Sequence, residues 1–410
     1  MSRKVPEGWR DAKLGDVCGI RIGGTPPRGE PSYWAAPEEN GYPWASISDL
    51  SQGYISSTKE RITPAGVENS NVKPVKSGTI LMSFKLTIGR VGVAGCDLYT
   101  NEAIAAFDED QRVIDRGYLK YVLPMAAGAG DVDEAVKGKT LNKRKLAQLK
   151  LLLPPLPEQR GIAEILSSVE EAIAATQAVI EQKSRLRERL LRTLFHRGNW
   201  EQEKPLPSGW TLRRLDDVAV RGSGHTPNKK KPEYWNGGIK WVSLRDTKRL
   251  DHLFIDSTEA EISDVGMANS SAVLHPSGTV VLSRDATVGR SAIMTMPMAV
   301  SQHFIAWRCE YSLNNMYLYY WLQSMKPVFE RIGAGSTIKT IGLPFFRRLE
   351  IPVPPLREQD NISEKMRALD EAMFAEFEAL DRLKVVRSAV TSDLLTGRKR
   401  VPMNELAAAE

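Results

Sequence analysis

Side chains able to carry covalent chemistry are scarce in this chain. Gly138, Lys139 and Thr140 spell the end of a phosphate-binding loop, but the earlier glycine such a loop needs is Asp133, and the later counterpart reads Gly335, Ser336, Thr337. Five histidines, His196, His225, His252, His275 and His303, have no metal-ligand spacing and read as solvated or core residues. Gly222, Ser223 and Gly224 read as a turn, not a cofactor fingerprint, and the Asn-Pro-Pro-aromatic motif of amino-methyltransferases is absent. What remains is a set of cations and hydroxyls in loop-like stretches. Lys85, Thr87 and Arg90 sit in SFKLTIGR, and Arg284, Thr287 and Arg290 in SRDATVGR. Arg28 lies between Thr25-Pro26 and Tyr33-Trp34, where a later stretch carries Lys229, Lys230 and Lys231. Lysine and arginine neutralise phosphates and read guanine edges in a major groove, so the chemistry on offer is binding. A solvated hairpin and a solubilising lysine run are the plain alternative.

Those residues recur because the chain is written twice. Pro6, Gly8 and Trp9 return as Pro207, Gly209 and Trp210, and Thr25-Pro26 before Tyr33-Trp34 returns as Thr226-Pro227 before Tyr234-Trp235. PWASISDL is echoed by KWVSLRD, and SGTILMSFKLTIGR by SGTVVLSRDATVGR, at a period of about 200 residues. Recurrence of Trp9, Trp34 and Trp44 as Trp210, Trp235 and Trp241 suits core anchors better than base-stacking groups.

Two long helical patterns organise the rest. One opens at PPLPEQ and runs toward Gly198, with Ile162, Leu166, Val169, Ile173, Ile180, Leu190 and Leu194 along one seam. The other opens at PPLREQ and runs to Gly397, with Ile362, Met366, Leu369, Met373, Leu380, Leu383, Val390 and Leu394 on the same seam. Arg187 and Arg387 interrupt both at one step. About 37 residues make a rod of about 55 Å. Charge selects an antiparallel pairing. Residues 177–195 hold five bases against two acids, whereas 358–376 hold six acids against two bases. A parallel pair would stack acid on acid.

The fold class expected is α+β: two similar mixed α/β domains separated by two long antiparallel coiled-coil helices, an internal pseudo-two-fold repeat. The segments are 1–155, 156–198 (first helix), 199–355, 356–397 (second helix) and a tail at 398–410. Short strands are expected at 43–47, 79–84 and 90–94, and helices at 118–127 and 316–326. Three cysteines without pairing pattern suit a reducing cytoplasm, and neither a signal peptide nor a run of about 18 apolar residues is found, so a cytoplasmic chain with no membrane is expected. The formal net charge of +6 permits a polyanion partner. Two domains held apart by a rigid spacer form a caliper, and the rod length corresponds to about 16 base pairs of DNA. A bivalent scaffold that holds two protein partners at a fixed separation is the alternative.

The duplicated PEGW or PSGW, the TP-to-YW loop, SGT followed by TIGR or TVGR, and PPLPEQ or PPLREQ before a long helix together resemble the specificity subunit of type I restriction-modification systems, from Pro6 to Arg398. The resemblance implies two target recognition domains, each reading half of a bipartite target in double-stranded DNA. It implies helices that set the gap and offer surface to partners, so their seam residues are partly an interface. The implied partners are two modification (methyltransferase) subunits, which carry S-adenosylmethionine, and restriction subunits, which carry ATP- and Mg-dependent translocation and nuclease activity. This chain would itself be non-catalytic and hold no cofactor or metal.

Overall fold

The computed structural model describes residues 5–36, 39–129, 133–135, 138–195, 206–333 and 340–402. It contains two compact units, residues 1–175 with 380–410, and residues 176–379. These cut both long helices in the middle, a different division from the five segments laid out from sequence. The cut falls there because each helix half packs into a different hydrophobic core.

In the first unit, strands Cys18–Ile22, Ile104–Glu109, Ile80–Ser83, Val91–Ala94 and Tyr54–Ile55 form one sheet in that order. Glu60–Ile62, Tyr42–Ala45, Leu98–Thr100 and Pro74–Val75 form a second sheet, and Arg10–Lys13 pairs with Lys150–Leu153. The central strand shows why the sequence reads as short β runs. Ile80 and Met82 face the core that includes Tyr118 and Val122, whereas Leu81 faces a smaller core with Ala45, Leu50 and Ile55. Alternation thus serves two cores, and the strand is buried throughout.

The second unit repeats the scheme. Its larger sheet orders Ala219–Ser223, Phe304–Cys309, Val280–Ser283, Ser291–Met294 and Phe254–Ile255, and its smaller one Ala260–Ile262, Trp235–Val242, Met298–Val300 and Leu274–His275. Val280 and Leu282 face one core and Val281 the other. Trp307 pairs with Val280 as Phe107 pairs with Ile80.

Gly222 and Ser223 end a strand rather than form the turn expected there. Gly224 follows so close to the Val300 carbonyl that an added Cβ would sit 1.7 Å from its oxygen, so close approach is what requires this glycine. Gly138–Thr140 is a strand paired with Asp133–Ala135, and residues 335–337 lie outside the described residues.

The helices lie where the punctuation placed them, Leu156–Phe195 and Leu356–Thr396. Gly397 takes φ +71°, the left-handed stop, while Gly198 lies outside the described residues. The run is antiparallel within each unit. In the first unit, Ile162 and Leu166 share a core with Leu394 and Leu395. In the second, Leu191 and Phe195 share one with Ile362 and Met366. Lys183 bonds Glu376 at 2.9 Å and Arg187 bonds Asp370 at 2.6 Å, the basic end of one helix against the acidic start of the other. Arg187, an interruption of the apolar seam, therefore has a partner; Arg387 is exposed.

Candidate nucleic-acid interface

The PEQ and REQ motifs position each domain on its helix. Gln159 is buried; it donates to the carbonyls of Val113 and Pro154 and accepts from the Asp115 amide. Gln359 makes the same three bonds, to Ser312, Pro354 and Asn314. The tethered residues are the N-caps of the helices Arg116–Gly128 and Asn315–Ser324, so one glutamine fixes both the long helix and the domain helix. The GW motifs serve the same joint. Trp9 Nε1 donates to Glu158 and Trp210 Nε1 to Glu358, both at 3.0 Å. In the first unit Arg400 adds a fork to both Glu158 oxygens, at 2.6 and 2.8 Å.

On these frames the candidate cations occupy two places. The first is the turn between Ser83 and Arg90, and between Ser283 and Arg290. Gly89 N bonds Ser83 O and Gly289 N bonds Ser283 O, both at 2.9 Å. Leu86 and Ala286 take φ +63° and +60°, a left-handed conformation that costs a non-glycine residue about 1 kcal/mol. Both turns thus share one unusual backbone. Thr87 and Arg90 are exposed and Lys85 half-buried, its Nζ 5.5 Å from the Phe84 ring centre. Arg284, Thr287 and Arg290 are half-buried. Arg290 donates to the Thr247 carbonyl at 3.0 Å, where Arg90 makes a long 3.5 Å contact with Ile47 O. These arginines hold the neighbouring loop. Asp285 accepts from His303 Nδ1 at 2.9 Å, and its other oxygen, buried and without a hydrogen bond among the described residues, forms an ion pair with Arg284 Nε at 3.7 Å.

The second place is the loop after Thr25-Pro26 or Thr226-Pro227. Arg28 pairs with Glu60 through both nitrogens and lies 3.9 Å from the Trp34 ring centre and 5.0 Å from that of Trp44. The bond to Glu60 raises its pKa further. Thr25 donates to Glu102. Burial pushes the Glu102 carboxyl up, but that bond and the charges of Lys85 and Arg28 outweigh it and leave it lowered. In the second unit Lys229, Lys230 and Lys231 are exposed; Lys231 Nζ reaches the Tyr234 hydroxyl at 3.2 Å. Lys229 borders a cavity of about 540 Å³ that Trp235, Arg245, Ser301, Gln302 and His303 also line.

The structure therefore brings Arg28 and Lys85 around Glu102, and Lys229 into one cavity with His303. Sequence reasoning missed Glu60, Glu102, Arg245 and Ser301, each far in sequence from the loop it serves. The tryptophans are core anchors: Trp9, Trp44 and Trp241 are buried, and Trp34, Trp210 and Trp235 half-buried.

The seam residues divide likewise. Ile162, Leu166, Ile173, Ile362, Met366, Leu380 and Leu394 are buried, whereas Val169, Ile180, Leu190, Leu194, Leu369, Met373, Leu383 and Val390 are half-buried. Leu191, Phe195 and Leu395 were not expected, yet they are buried. Phe195 packs on Tyr317 at 5.3 Å between ring centres, because the last turns face a domain core as well as the other helix.

Among the described residues no cluster of metal-ligating side chains is present, His275 is buried, with its pKa lowered by burial, and no helix is long and apolar enough to cross a membrane. His196 lies outside the described residues.

The comparisons with known proteins agree with this architecture. The putative type I restriction enzyme MjaX specificity subunit of Methanocaldococcus jannaschii is 22% identical over 421 residues, covering 97% of this chain and 95% of that protein. The MjaIX specificity subunit of the same organism is 27% identical over 168 residues, 40% of this chain and 39% of that protein. The crystal structure of the S subunit of a type I restriction-modification system from M. genitalium matches with a TM-score of 0.60 at 15% identity, covering 96% of this chain and 97% of that one. Residues 6–182 and 207–384 both match the family model for the type I restriction modification DNA specificity domain, and with two copies over most of its length the chain belongs to that family.

Proposed function

We propose that this chain is the non-catalytic, DNA-reading subunit of a type I restriction-modification complex, with each domain reading one half of a bipartite duplex target. The observation that carries the reading is the repetition, on two equivalent sheet frames, of a cation-bearing turn with one unusual backbone and a TP-to-YW loop. A frame held constant while its loop residues change is what two different half-sites require. The long helices would set the unread gap and give surface to two modification (methyltransferase) subunits, with restriction subunits joining them. S-adenosylmethionine, ATP and Mg would belong to those partners. Work on DNA places the complex in the cytoplasm.

The test is duplex binding by this chain, alone and with its modification subunit, across a salt series. Affinity that rises with the partner and falls steeply with salt supports the reading. Absence of DNA binding by the assembled complex at low salt would leave the bivalent protein scaffold in its place.

A further inference from the structure

The two units treat one position oppositely. In the first, Trp44 lies across the strand pair from Glu60, and Glu60 clamps Arg28 against the faces of Trp34 and Trp44. In the second, Trp241 lies across from Ala260, which has no charge to offer Lys229. Thr25 bonds an acid, Glu102, whereas Thr226 bonds a neutral amide, Gln302. The place that Arg28 occupies in the first unit corresponds in the second to Lys229, at the border of the 540 Å³ cavity.

That cavity is equipped for an anion. Lys229 and Arg245 are exposed at its edge, and neither makes an ion pair among the described residues. At its wall Ser301 is 1% exposed, and its hydroxyl has no partner among the described residues. The equivalent Asn101 spends its side chain on the Ala103 amide. Two acids beside it are engaged: Asp285 by His303, and Asp246 by Ser243 and the Glu259 amide. Trp235 supplies an apolar wall.

We propose that this cavity seats one sugar–phosphate unit of the DNA backbone, the phosphate between Lys229 and Arg245, the Ser301 hydroxyl bonding it, and the deoxyribose against Trp235. The first unit has no such site, because Arg28 there is a strut whose charge Glu60 cancels. The inference rests on the DNA-reading function and adds to it a phosphate contact made by one domain only. A phosphate contact sets register without carrying sequence information, so it acts on every duplex alike.

The experiment measures binding of the chain, assembled with its modification subunits, to a random-sequence duplex across a salt series. The proteins are wild type, Lys229→Gln and Ala260→Glu. Lys229→Gln changes an exposed side chain and leaves the fold intact; Ala260→Glu installs the clamp of the first unit. Each is expected to lower affinity about tenfold at 0.1 M salt and to flatten the slope of log affinity against log salt by about one, as one lost phosphate contact does. The double variant, whose new carboxylate has no lysine to pair with, should fall further than either single one. If wild type binds steeply and both variants keep its affinity and slope, the cavity is not a phosphate site although the DNA-reading function stands. If wild type does not bind at all, that function fails and this inference with it.

Discussion

Glu158 and Glu358 occupy the same place at the start of the two long helices but keep different company. Glu158 is fully buried, bonded by Trp9 and by both arms of the Arg400 fork; among the described residues, the only side chain that bonds Glu358 is Trp210. The glutamines beside them make identical bonds. The joint between domain and helix is thus common to both units, and what is attached to the joint has diverged. In the first unit the extra attachment comes from Arg400, beyond the end of the second helix, so the C-terminal segment is secured to the N-terminal domain. The same rule governs the loops: the turn backbone is shared, and the charges on it are not.

Substitutions can break this comparison at three levels. The largest effect is expected at the paired glycines that follow the first strand of each large sheet, Gly23 and Gly224. Alanine at Gly224 would meet the Val300 carbonyl oxygen at 1.7 Å, and alanine at Gly23 the Thr100 and Asn101 carbonyl oxygens, both at 2.2 Å. These are backbone atoms that cannot swing aside, so Gly23→Ala and Gly224→Ala should each cost about 3 kcal/mol. Denaturant unfolding measures both, and a loss at only one of them would show that this close approach is not common to the two units.

Next come the glutamines, where the comparison predicts equality. Gln159→Leu and Gln359→Leu each leave two carbonyls and an amide without partners, for about 2–3 kcal/mol each. A loss confined to one unit, seen as one transition moving in differential scanning calorimetry, would mean that the joint is not common.

The smallest effects concern the acids. Glu158→Gln keeps an acceptor for Trp9 but removes the charge facing Arg400, and should cost about 2 kcal/mol given that the arginine is partly exposed. Glu358→Gln should cost under about 0.5 kcal/mol. Thermal melting resolves the difference, and Arg400→Met in the Glu158→Gln background should add little, since the pair is already broken.

Much of this architecture is legible in the sequence because it is carried by periodicity and punctuation. The two-proline entry and the seven-residue seam yield the helices, and the 200-residue period yields the duplicated frame. Charge along the rods yields their direction, which Lys183–Glu376 and Arg187–Asp370 bear out. What sequence hides is pairing across the fold. Glu60 lies 32 residues from Arg28, and nothing in either stretch announces the clamp until strand register puts Glu60 opposite Trp44. Leu191 and Phe195 escaped notice for a related reason: a seam drawn for one partner overlooks turns that face two.

The central claim is that each unit reads its own half of the target across an unread gap. It is tested most directly by mapping adenine methylation in DNA exposed to the complex of this chain with its modification subunits. The account predicts a motif of two short specified blocks, different from each other, separated by a gap of fixed length in which every base is tolerated. A single contiguous motif, or no sequence preference at all, would contradict it.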